Sequence, residues 1–449
     1  MKHQITLTPL LAAALLAIAG CSTPTADMTA AETMDGGGAD VPDDVNGDGF
    51  PDLPIDGNQG GADAGEPYVG VLFGGENGLD PDNGVTLTRS DLGLPDNGEP
   101  LTVLDTGDLD GDGYTDLIVD AGSGFVVWGG PDGPTGEAVP LPWLDMDDPT
   151  GMNAVSLAVG DLDGDGHTDV AVLDRLQGTP VDEYETAYHR GPFDRDGSPA
   201  ETRDLPLPDD AQDASLEVFD ADGDAAEDLL LVRGSDESPV SHLVLRSGPE
   251  GPVQEVLGDT APSHAYATGD FNADGSTDLL IGVSGIPNNE PGHDDELHPG
   301  YADTYGGADG FLDAEPVRLT LDSEGVPGES EDGDGFGNGF LVGDVTGDGH
   351  DDAVVMTGPG YAYETVTVLL GGPDGLTGEG AAALPVPDTS DLGSYRHHAL
   401  ADYDGDGYAD LLLSTAHPAS PSASDGYLLY RGGPEGLDPE PLEFTTEGL

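Results

Sequence analysis

Seven times along this 449-residue chain, a nine-residue segment sets carboxylates or their amide and hydroxyl relatives at its first, third, fifth and ninth positions. The clearest copy is D-L-D-G-D-G-Y-T-D, with Asp108, Asp110, Asp112 and Asp116 at those positions. Alternate side chains of a tight loop converge on one centre. Four such oxygens, with the backbone carbonyl of Tyr114 at position 7, suit a hard divalent cation, and calcium is the natural occupant. Gly113 at position 6 gives the loop a residue that takes positive φ at little steric cost. The other copies offer Asp44, Asn46, Asp48, Phe50 and Asp52; Asp161, Asp163, Asp165, His167 and Asp169; Asp220, Asp222, Asp224, Ala226 and Asp228; Asp270, Asn272, Asp274, Ser276 and Asp278; Asp344, Thr346, Asp348, His350 and Asp352; and Asp402, Asp404, Asp406, Tyr408 and Asp410.

An EF-hand begins the same way but needs a bidentate Glu at position 12 and flanking helices. Here position 12 is Ile55, Val119, Val172, Leu231, Ile281, Val355 or Leu413, apolar in every copy. Each loop runs into a short apolar segment that reads as a buried strand. Two copies depart from the pattern: Ala225 stands where loop four needs glycine at positive φ, a strained position, and Thr346 is a poorer ligand than Asp in loop six. Both loops are expected to bind more weakly.

The loop starts lie 64, 53, 59, 50, 74 and 58 residues apart, a period that marks a repeat architecture. A second marker, a strand ending in a glycine-rich turn, follows each loop: V-L-F-G-G-E-N-G-L (71 to 79), V-V-W-G-G-P-D-G-P (126 to 134) and V-L-L-G-G-P-D-G-L (368 to 376) are examples. With an apolar segment before most loops and another after most turns, each unit offers about four short strands, the sequence form of a β-propeller blade. No segment has the length and periodicity of a helix. The stretch F-G-N-G-F-L-V-G-D-V-T-G-D-G-H-D-D-A-V-V, Phe336 to Val355, resembles the FG-GAP or VCBS-type repeats of integrin α-subunit propellers and many exported bacterial proteins. That resemblance implies an all-β, seven-bladed propeller of four-stranded blades over residues 41–449, with calcium loops on one face and ligand contacts more often on the other. Unit one has no apolar strand before Asp44 and carries Pro54 in the strand after it, so the closure of the ring is open; Leu442 to Thr446 either completes the last blade or pairs with the first.

At the N-terminus an apolar run from Leu7 to Ala19 ends I-A-G-C. It is too short to span a bilayer and resembles a bacterial lipoprotein signal over residues 1–20, which implies a lipidated Cys21 as mature N-terminus. Residues 21–40 have almost no large apolar side chains and read as a tether. The expected location is an outer membrane or cell surface, with the lipid as the membrane contact. Cys21 is the only cysteine, so no intramolecular disulfide staples the fold. From Cys21 onward ten Arg and no Lys face 90 acids, a formal charge of −80 that repels nucleic acid and anionic membrane surfaces. Seven calcium ions would offset only part of it.

No H-E-x-x-H, G-x-S-x-G or phosphate-cradling loop appears, and among 90 acids a pair of suitable separation carries no information about glycosidase chemistry. The expectation is a binding module rather than an enzyme, with an unidentified protein or glycan as ligand. A lectin-like propeller is the alternative, and a polysaccharide-degrading enzyme is a more distant one. Aromatic residues recurring at one blade position would favour the lectin. The longest unit holds G-H-D-D-E-L-H-P-G with His293, Asp294, Asp295, Glu296 and His298, and Tyr301 and Tyr305 as stacking candidates. Trp128 and Trp143 fall in or beside expected strands and read as blade packing.

Overall fold

A computed structural model describes residues 41–445 apart from 59–65, 98–99, 145–154, 177–182, 208–213, 236–237, 240–242, 254–255, 260–264, 286–296, 308–314, 359–364, 387–397 and 415–425. Cys21, the leader, the tether and His293 to Glu296 lie outside the described residues. The described ones belong to one compact unit, Gly37–Leu449.

Every helix or strand assigned among the described residues is a β-strand, and the strands form seven antiparallel sheets in chain order. Blade 2 shows the plan: Thr102–Gly107, Asp116–Asp120, Gly124–Val127 and Val139–Pro140 pair successively as a meander. The acidic loop joins the first strand to the second, and the glycine turn follows the third. Blades 3 to 7 follow the same path, blade 4 with the additional short strand Ser238–Pro239. Blade 1 differs. It is described with three strands, Leu53–Asn58, Pro67–Leu72 and Gly84–Thr88, and the residues directly before its loop carry no apolar segment. Pro54 sits inside Leu53–Asn58 and pairs with Val71, at the sheet edge that this shortfall leaves, where a missing N–H is tolerated. Leu442–Thr445 pairs with Gly426–Tyr430 and so completes blade 7 rather than joining blade 1.

Among the described residues the blades are joined by side-chain packing, with no strand shared between them. Seven apolar clusters each bridge two adjacent blades. Along the second strand the side chains alternate between neighbours: Leu117 and Val119 join the cluster with blade 1, and Ile118 the cluster with blade 3. Both faces of this strand are buried, which is why its sequence is a continuous apolar run instead of an alternating one. The last cluster closes the circle, setting Leu412, Tyr427 and Leu429 of blade 7 against Leu53, Ile55 and Leu72 of blade 1.

Glycines let the first strands converge near the axis. A Cβ on Gly107 would lie 2.8 Å from Val159, and one on Gly269 2.4 Å from Val342, both on the next blade's first strand. This is the physical role of the Gly-Asp pair that opens these loops.

Candidate metal centres

All seven loops fold alike. The N–H of position 5 donates to Oδ1 of the position-1 aspartate at 3.0–3.2 Å. The N–H of position 6 donates to Oδ2 at 2.8–3.0 Å. These bonds wrap the backbone around one carboxylate, and the wrap needs positive φ at positions 4 and 6. Gly111 and Gly113 take φ of 72 and 87. Loop four makes the same turn with Ala225 at φ 72, as its sequence led one to expect, and loop five puts Ala273 at φ 55, which the sequence reading missed. An alanine held there costs about 1 kcal/mol. Ala225→Gly is therefore expected to raise stability by about 1 kcal/mol in urea unfolding without changing the fold.

Position 9 has a different task. These aspartates open the second strand and are at most 2 % exposed. Their Oδ1 accepts the N–H of the turn after the third strand, from Gly74, Gly129, Gly191, Ser247, Gly307, Gly371 and Gly432, at 2.7–2.9 Å. In six loops Oδ2 also accepts the N–H of position 2 at 2.9–3.2 Å. The two recurrent sequence markers are thus hydrogen-bonded to each other. Glycine recurs at that turn because a Cβ on Gly129 would lie 2.3 Å from the Thr115 carbonyl, and one on Gly371 2.2 Å from that of Asp351. Burial pushes the position-9 carboxyls up against these donors: Asp116 to about 8, Asp52, Asp228 and Asp410 to about 7, and Asp169, Asp278 and Asp352 to about 6.

Adjacent loops are tied together on one face of the ring. At five junctions the position-8 N–H donates to the position-1 carbonyl of the preceding blade, as from Thr115 to Asp44 at 2.9 Å and Ala409 to Asp344 at 2.8 Å, and between blades 2 and 3 Phe193 N–H donates to the Leu109 carbonyl at 2.7 Å. Pro51 occupies position 8 in blade 1 and has no N–H, which leaves the closing junction with the bond from Gly75 N–H to the Tyr403 carbonyl at 3.0 Å, equivalent to that from Gly130 to Val45 at 3.1 Å. The position-7 side chain covers the position-4 glycine of the loop before it. A Cβ on Gly47 would fall 2.5 Å from Tyr114, one on Gly347 2.6 Å from Tyr408 and one on Gly405 2.7 Å from Phe50. An aromatic residue does recur at this blade position, but its ring is spent on the neighbouring loop.

The donors fit a cation. Ligand atoms of Asp108, Asp110 and Asp116, of Asp161, Asp163 and Asp169, of Asp220, Asp222 and Asp228, and of Asp402, Asp404 and Asp406 lie within 4.8 Å of one another. Two of these groups hold a buried carboxylate oxygen without a hydrogen-bond partner, Oδ1 of Asp222 and Oδ1 of Asp404, and Asp410 Oδ2 at position 9 of loop seven is another. An anionic oxygen stripped of water and of donors is satisfied by a cation. Asn46, Asn272 and Thr346 bring a neutral oxygen to position 3 in the other three loops, and the Thr346 hydroxyl turns to Asp344 Oδ1 at 3.3 Å.

Arginines reach four of the loops, and the sequence reading did not assign them. Arg190 pairs with Asp163 and Asp165, Arg195 with Asp110 and Asp112, Arg246 with Asp222 and Arg431 with Asp404.

The other candidates fall elsewhere. Trp128 is 4 % exposed and Trp143 packs beside it between blades 2 and 3, as expected of blade packing. Tyr305 is 8 % exposed within the contact of blades 4 and 5, so it is core and not a stacking surface. Tyr301 has the Arg318 guanidinium 3.5 Å from its ring centroid and His298 stacked at 5.6 Å. Its ring is already engaged.

Residues 108–172 and 344–413 match the family described as FG-GAP-like repeat. No curated protein matches the chain. Among solved structures it is similar to Bacillus licheniformis rhamnogalacturonan lyase PL11, at 14 % identity and a TM-score of 0.24, over 84 % of this chain and 59 % of that one. The chain therefore spans less than two thirds of that protein's length. With these repeats and seven blades closed through side-chain clusters, the chain is a β-propeller carrying FG-GAP-like repeats.

Proposed function

We propose that this chain is a calcium-stabilised propeller, anchored at the cell surface through a lipidated Cys21, that binds a protein or glycan as an adhesion module. The reading is carried by one observation: seven acidic loops share one geometry, and backbone hydrogen bonds tie each to the next blade around a single face. Cations held there rigidify the scaffold, and a rigid scaffold frees its connecting segments and opposite face for recognition. Calcium supplies charge neutralisation and coordination at the loops when bound. The chain's own aspartates orient the oxygens, and its position-9 carboxylates lock each loop to its blade.

The test has two parts. Cells producing the full chain are expected to show it on their surface with a covalent lipid, and Cys21→Ala is expected to release it unlipidated. Purified protein in millimolar calcium, the range of extracellular sites, is then applied to arrays of glycans and surface proteins. Saturable binding to one class, lost with chelator, is the expected result. Cleavage of a polysaccharide in place of binding contradicts the module reading.

A further inference from the structure

The four arginine-covered loops are those with aspartate at position 3. Arg195, Arg190, Arg246 and Arg431 meet Asp110, Asp163, Asp222 and Asp404. In the loops with Asn46, Asn272 or Thr346 at this position, no ion pair from an arginine is seen among the described residues. The side chains of these four aspartates are 7 %, 1 %, 13 % and 7 % exposed. Arg190, Arg246 and Arg431 come from one equivalent place, the residue just before the turn that bonds position 9. Arg195 comes instead from the turn of the next blade and lies 4.9 Å from the Trp128 ring centroid. One pairing reached by two routes is the mark of a shared electrostatic need.

We propose that these arginines are built-in counter-charges that set the cation affinity of their loops, each offsetting the additional carboxylate at position 3. Summed over positions 1, 3, 5 and 9, loops two, three, four and seven carry four aspartates and one arginine, and loops one, five and six carry three aspartates and none. Every loop thus presents the same net charge of −3 to an ion. The guanidinium does not take the ion's seat. In loop seven Arg431 Nη1 holds Asp404 Oδ2 at 2.8 Å, while Asp404 Oδ1 and Asp410 Oδ2 stay buried without partners. Loop four repeats this, with Arg246 on Asp222 Oδ2 and Oδ1 left bare. In both loops one oxygen meets the arginine and the other is left without a partner.

This inference rests on the reading of the loops as cation sites, and its test separates the two. Tyr408 lies between loops six and seven, with its ring on Gly347 of loop six, and sensitises terbium in both; the part of its emission that Asp402→Ala removes belongs to loop seven. In the full chain, calcium displaces this terbium. A unit charge about 6 Å from a divalent ion changes affinity roughly tenfold in a water-like dielectric. Arg431→Gln is expected to lower the half-displacing calcium concentration roughly tenfold and Asp404→Asn to raise it by about as much. The double variant, which has the position-3 amide and uncovered state of loop five, returns to near the wild-type value. Bound-calcium counts stay equal across the four proteins. Arg195→Gln with Asp110→Asn, read through the part of the Tyr114 emission that Asp108→Ala removes, repeats the cycle in loop two if a loop-seven variant fails to fold. Unchanged affinity in Arg431→Gln overturns the inference and leaves the cation sites standing. One extra ion in Arg431→Gln also overturns it, because the guanidinium then held the seat. A wild-type protein that binds no calcium overturns both readings before any variant is made.

Discussion

Asp116→Ala is expected to destabilise the metal-free protein by roughly 3–5 kcal/mol, because one buried side chain serves two backbone donors. Its Oδ1 accepts Gly129 N–H at 2.8 Å and its Oδ2 accepts Leu109 N–H at 2.9 Å, with the residue itself 0 % exposed. Removing it strands both N–H groups, at about 1–3 kcal/mol each, and opens a small cavity between blade 2 and its loop. Asp112→Ala at exposed position 5 is the comparison. It loses an acceptor for Tyr114 N–H and a half-exposed ion pair with Arg195, both replaced by water at the surface, so its cost without metal stays within about 1 kcal/mol while calcium affinity drops. Urea unfolding of both variants, with and without calcium, checks the pair of effects. Equal destabilisation by the two would mean that position 9 is not the staple.

The second large effect couples pH to the ion. The position-9 carboxyls titrate at about 6 to 8 in the metal-free fold, raised first by burial, against an ordinary value near 3.8. The folded state therefore holds protons that the unfolded chain has released. Their contribution is fully present below about pH 4 and is lost as pH rises through 6 to 8. Mutual repulsion of the excess acids acts in the same direction. His189 opposes it: burial lowers it from 6.5 to about 4, so it costs stability as pH falls between those values. One histidine stands against seven carboxyls, and the metal-free protein is expected to melt at lower temperature at pH 8 than at pH 5. Calcium prefers the ionised loops, so its stabilisation grows over the same interval. Several sites at a hundredfold excess over their dissociation constants contribute about 2.7 kcal/mol each, a shift on the order of 10 °C at pH 8 and much less at pH 5. Thermal melts at the two pH values, with calcium and with chelator, read it directly. A calcium shift of equal size at both would contradict the linkage.

Much of this was legible because the repeat states it several times. The carboxylate spacing, the apolar second strands and the glycine turns are local patterns, and seven copies in phase turned weak signals into an architecture. What escaped was the chemistry between repeats. Arg195 reaches a carboxylate 83 residues away in chain order, and nothing near either residue announces the pair. The position-4 glycines read as turn formers, but they are also the surfaces on which Tyr114, Phe50 and Tyr408 of the next loop rest. Tyr301 and Tyr305 were misread for a related reason: an aromatic in a long unit gives no local sign of whether a neighbouring blade or a cation covers it. The closure of the ring was open in the sequence because no apolar segment directly precedes Asp44, and among the described residues side-chain packing of blade 1 with blade 7 closes it.

The central claim is that the acidic loops are cation-held staples of the ring. Equilibrium dialysis of the full chain against calcium at pH 8, with the bound ions counted before and after chelation, tests it most directly. Several ions per chain, released together with a loss of cooperative melting at the original temperature, is the result expected. A chain that binds no calcium at millimolar concentration and melts identically in chelator would show the loops to be ordinary acidic turns.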